Sequence, residues 1–174
     1  MPPQIIFALQ SVLGYVACLL CFNAYFLPKL KSMEPIAAQR AIATLNSFRF
    51  FGLVVLLPGV VGPNLPSSLA TVAGYWDLAT GILAILALLA VRVRPLFWLL
   101  VVIFNLVGIV DLILTYYHAV RVNLPALAGQ LGAAYVIPVL YVPALMITHI
   151  AAIYLMLRRR PRTVPAFADA AATS

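Results

Sequence analysis

Acidic residues are almost missing from this sequence: Glu34, Asp77, Asp111 and Asp169 are the only four in 174 residues. Charged residues of both signs make up 9% of the chain, where a soluble domain carries about 25%. Hydrophobic residues make up 65%. A soluble fold so poor in charge could not cover its own surface, so lipid must be its outer solvent. Histidine is limited to His118 and His149, and cysteine to Cys18 and Cys21. Two cysteines inside one apolar run carry no sign of a disulfide-rich secreted fold. A phosphate-binding loop, a nucleophile elbow and the H-E-x-x-H helix are all missing, and no internal repeat stands out.

Long apolar runs are what the sequence has instead. About 20 apolar residues in a helix cross the bilayer core. Runs of that kind predict an all-α integral membrane bundle of about five transmembrane helices, over residues 4–27, 45–61, 69–91, 95–117 and 131–157. Residues 1–162 then form one bundle, and residues 163–174 a disordered tail. The first run has no basic segment before it, so it reads as a retained helix rather than a cleaved signal, and Pro28 is expected to stop it. Residues 28–47 are too polar to span, but Pro35 is placed to open a short interfacial helix. Pro58 and Gly59 bend or end the short second helix. The stretch 62–68 is dense in turn residues, and Arg92-Val93-Arg94-Pro95 is too short to join anything but antiparallel neighbours.

The formal charge is +7. Its cations sit at the ends of apolar runs, where they orient a protein and meet anionic lipid headgroups, so nucleic acid is excluded as a partner. With five spans, one side holds Lys29, Lys31, Arg40, Arg92, Arg94, Arg158, Arg159, Arg160 and Arg162, with Arg49 at its margin, and the other only Arg121. That side is expected to be cytoplasmic, with the N-terminus outside and the C-terminus inside.

Two of the four acids fall inside spans. A carboxylate facing lipid costs about 3 kcal/mol on insertion scales, so Asp77 and Asp111 should face the bundle interior at similar depth. Ala70, Gly74, Asp77 and Gly81 share one face of the third helix, and Asn105, Gly108, Asp111 and Thr115 one side of the fourth. Ser11, Gly14, Cys18 and Cys21 make a similar stripe on the first helix, beside Gln10. Small-residue stripes let helices approach closely. The candidate intramembrane polar site is therefore Asp77, Asp111, Gln10, Asn105 and His149, with the two acids facing each other or a common polar partner such as Gln10. Such a site would exchange protons or hold a cation. Against it stands the plain reading that Asn105 and His149 are interhelical hydrogen bonds. Arg49 is expected to be a snorkelling anchor at the membrane surface. Cys18-Leu19-Leu20-Cys21 has no charge nearby to activate a thiol and reads as packing. The two histidines lie at different depths, so no metal or cofactor site is expected. Tyr116, Tyr117, Tyr135, Trp98 and Tyr154 read as an interfacial aromatic belt.

Residues 48–95 carry Arg49-x-x-Gly52, Pro58-Gly59, Pro66, then Ala73-Gly74-Tyr75-Trp76-Asp77-x-x-x-Gly81 and the arginines after that helix. This pattern resembles the DoxX-like group of small bacterial membrane proteins. The resemblance implies a small helical bundle in the bacterial cytoplasmic (inner) membrane, and its understood members look like membrane partners of redox enzymes. Three functions compete: an accessory subunit that binds a membrane protein partner or a second copy, a proton- or cation-coupled transporter using Asp77 and Asp111, and an enzyme doing acid–base chemistry on a lipophilic ligand.

Overall fold

A computed structural model describes residues 1–158 of the chain. The expected tail and the positions of Arg159, Arg160 and Arg162 lie outside the described residues. Within them the fold is all-α, and four helices are long and apolar enough to cross a membrane: α1 (Pro3–Ser32), α3 (Ser67–Arg92), α4 (Arg94–Arg121) and α5 (Ile137–Leu157). Between α1 and α3 lie α2 (Pro35–Asn46) and a 3-10 segment, Ser47–Leu56. A second 3-10 stretch, Leu124–Tyr135, joins α4 to α5.

α1 runs through Pro28 instead of stopping there. A proline inside a helix lacks an N–H and crowds the carbonyl four residues back. Here one π turn, Phe22–Phe26, precedes it, and the Leu27 N–H bonds Phe22 O. The wider turn moves the crowded carbonyls aside. The same device recurs in α5, where the π turn Ile137–Tyr141 ends two residues before Pro143 and the Val142 N–H bonds Ile137 O.

The second span is not the single helix expected over 45–61. Pro35 does open a helix at its first turn, but α2 is no surface segment. It buries Ala38, Gln39, Ile42, Ala43 and Asn46 along one face, and Gln39 donates from Nε2 to Ala152 O at 2.9 Å. The chain then tightens into the 3-10 segment, so residues 35–56 form one broken rod of about 38 Å by helical rise. The rod runs antiparallel to α3: Gly81 lies against the backbone of Ser47 and Phe50, and Gly74 against Leu56 and Gly52 O.

The fifth helix begins at Ile137 rather than at 131. Gly132 has φ +52°, outside helical space, and a Cβ there would collide with Val60 O. That close approach ties the loop after the 3-10 segment to the Leu124–Tyr135 stretch, and the Gly62 N–H donates to Gln130 O at 2.6 Å. Leu65, Leu69, Leu124 and Leu131 pack beneath it. At the other end of the bundle, Leu30, Ile42, Ala84, Ala87, Phe97, Val101, Phe104 and Ala152 form the larger apolar core. Leu99, Leu106, Val110 and Ile113 point outward from α4, as helices solvated by lipid require. The polar residues lie between the two apolar layers.

Candidate functional site

The centre of the bundle holds a network built on Arg49, whose side chain is fully buried. The 3-10 segment delivers it, and glycines make room for it. At Gly52 a Cβ would strike the Asp77 carboxyl, and at Gly108 it would strike the His149 ring and come within 2.9 Å of Arg49 Nη1. Arg49 donates from Nε to Asp77 Oδ1 at 2.7 Å, from Nη2 to Asp77 Oδ1 at 2.6 Å, and from Nη2 to Asp111 Oδ2. Thr115 donates to the other oxygen of Asp111 at 3.2 Å. One planar guanidinium thereby clamps α3 to α4, using the fork geometry that only arginine offers.

The third arm reaches α5. Arg49 Nη1 lies 2.9 Å from His149 Nε2, and His149 Nδ1 lies 2.9 Å from Asn105 Oδ1. Asn105 Nδ2 donates to Val101 O at 2.8 Å, which leaves its Oδ1 as the acceptor. His149 must therefore donate from Nδ1 and accept at Nε2 from Arg49. The hydrogen-bond polarity fixes one tautomer of a neutral ring. No polar atom of Arg49, Asp77, Asp111, Asn105 or His149 is buried without a partner.

Four of the five residues singled out in the sequence, Asp77, Asp111, Asn105 and His149, thus meet in one place. Gln10 does not join them. It is exposed on α1 and accepts a hydrogen bond from the Tyr135 hydroxyl at 2.5 Å. The common partner of the two aspartates is Arg49, which sits at the core rather than at the membrane surface. A signal for this was present: Arg49 is the one cation inside an apolar run, matched to two acids inside others. Tyr141 was also missed. Its hydroxyl is buried with no hydrogen-bond partner.

Cys18 points its thiol at Leu140 O, 3.8 Å away, and Gly14 packs against Val139 O, so the α1 stripe is a packing face against the π turn of α5. Among the described residues no group of three or more His, Cys, Asp and Glu is disposed to hold a metal ion. None of the five principal clefts among the described residues is lined by Arg49, Asp77, Asn105, Asp111 or His149. The network is buried, with Asp77 its most exposed member.

The fold and the network together define a helical membrane protein whose helices are pinned by a central ionic knot. Residues 6–157 match the family model described as Domain of unknown function (DUF8737). The match covers nearly all of the described chain, and the chain belongs to this family. No curated protein and no solved structure matches it.

Proposed function

We propose that this protein is a partner-binding membrane subunit that offers the α1 side of its bundle to a transmembrane helix of a second membrane protein. The observation that carries the reading is that the apolar window of α1 buries none of its residues, whereas those of the other three long helices bury a third or more; in α1 only Leu30, near its end, is buried. The polar chemistry of the protein is buried, so what the molecule presents is this surface. Two clefts flank α1. One of about 450 Å³ lies among Ala17, Cys18, Cys21, Leu140 and Ala144, and one of about 490 Å³ among Phe22, Tyr25, Lys29, Ile42 and Leu45. Close-packed small residues are what a helix entering from the lipid uses. A photo-cross-linking residue at Leu20, which is 65% exposed, should give one discrete protein adduct in native membranes. The same probe at Leu99 on α4 should give lipid adducts. Lipid adducts alone at both positions, or an adduct with a second copy of this chain, would sink the hetero-partner reading.

The DoxX-like pattern is consistent with this role. Its residues Arg49, Gly52, Gly74, Asp77 and Gly81 are the ones that join the 3-10 segment to α3, so a relation to that group would be a relation in bundle architecture. We place the protein in the bacterial cytoplasmic membrane with its N-terminus outside. Reporter fusions after residues 69 and 130 should then report outside, and a fusion after residue 94 inside. An inside result after residue 69 would mean that residues 35–56 do not cross.

A further inference from the structure

The ionic knot has more negative positions than positive ones. Arg49 is its single cation, and the hydrogen-bond polarity makes His149 neutral. Asp77 and Asp111 are two carboxyls, and an oxygen of each contacts the same nitrogen, Arg49 Nη2, which sets them side by side. Two ionised carboxylates sharing one site repel each other, which favours holding a proton on one of them. The groups bonded to the pair or to its arginine are few: Arg49 from the 3-10 segment, Thr115 from α4 and, through Arg49, His149 from α5. None of them supplies a second positive charge. A net negative charge enclosed between apolar layers is strongly disfavoured.

We propose that Asp77 and Asp111 form a proton-binding site that holds one exchangeable proton between them. One carboxyl is the acid and donates its O–H to the other, and Arg49 neutralises the single charge that remains. Asp77 is the port, because its side chain keeps 11% of its exposure while that of Asp111 keeps 2% and Arg49 none. The proton comes from water as H⁺ and leaves as H⁺, and no other bond forms or breaks. The inference is independent of the partner reading of α1: a proton site of this kind would persist in a subunit with no partner at all.

The scarcity of acid makes the test clean. Beyond this pair, Glu34 and Asp169 are the only carboxylic side chains in the protein, and both lie outside the apolar runs. Infrared spectra of the full chain in lipid nanodiscs at neutral pH should contain one protonated-carboxyl C=O stretch that shifts in D₂O. Carboxyl-¹³C aspartate should move that band, which assigns it to Asp without any mutation. Asp77→Asn and Asp111→Asn should each abolish it, because the remaining carboxylate then balances Arg49 alone. The thermal midpoint of the unmodified protein should fall as rising pH removes the proton, while that of Asp111→Asn should stay flat over the same range. Absence of the band at neutral pH would overturn the proposal and would mean that both carboxylates are ionised against a bound cation. A band that survives in the double Asn variant, or one unmoved by labelled aspartate, would overturn it equally.

Discussion

Replacing Arg49 with Met should cost about 3–5 kcal/mol of bundle stability, the loss expected when one partner of a buried ion pair is removed and the others are stranded. The side chain is of similar reach, so packing changes little. What disappears is the clamp between α3, α4 and α5: Asp77, Asp111 and His149 all lose the hydrogen bonds from Arg49 at once, and Asp111 keeps only that from Thr115. Arg49→Lys should recover little, because a point ammonium cannot face three directions in the plane of a guanidinium. The triple variant Arg49→Met, Asp77→Asn, Asp111→Asn should regain much of the loss, since removing every charge leaves none stranded. Unfolding of the purified protein by SDS in mixed micelles, followed by helical circular dichroism, measures all three. A loss below about 1 kcal/mol for Arg49→Met would mean that the knot contributes little to the fold.

The second large effect is steric. Gly52→Ala should cost about 2–3 kcal/mol, at the upper end of the range for overpacking. A Cβ at this position would lie 2.6 Å from Asp77 Cβ and Cγ, atoms close to the α3 backbone that cannot move aside. Charge does not enter, so the penalty should be the same in an Asp77→Asn background, where shape is kept. Gly129→Ala is the control. Nothing lies within 4 Å of its Cβ position, and the change should stay within about 0.5 kcal/mol, as for other surface substitutions. Equal effects at both glycines in the same unfolding assay would show that the close approach of the 3-10 segment to α3 is not what Gly52 serves. Asp77→Asn by itself should leave the fold intact, whereas Asp77→Lys, which sets a second cation against Arg49, should prevent its assembly.

Much of this arrangement could be read residue by residue. The apolar runs marked the four long helices, and their ends fall within a few residues of expectation on α3 and α4. The inward faces were also legible. Ala70, Gly74, Asp77 and Gly81 on α3, and Asn105, Gly108 and Asp111 on α4, are all buried, because spacing along a helix fixes which residues share a side. Where the reading failed, the backbone departs from the α-helix. Pro28 looked like an end because a π turn leaves no compositional mark, and residues 45–61 looked like one helix because apolar content does not distinguish a 3-10 turn from an α turn.

Composition by itself determined that the chain belongs in lipid, which stretches are apolar enough to cross it, and that Asp77 and Asp111 must turn inward. Those outcomes follow from transfer free energy, which each residue carries with it wherever it folds. Which group meets the two acids was decided by tertiary structure alone. The bonds that close the knot join residues 28, 62 and 100 positions apart. They depend on a 3-10 segment that turns Arg49 into the core and on glycines that let it lie against α3 and α4. Gln10 had the right chemistry and a plausible depth, yet α1 packs on the π turn of α5 and never reaches the centre. The identity of a buried partner is set by which helices become neighbours and how closely, and that information is not contained in any one segment.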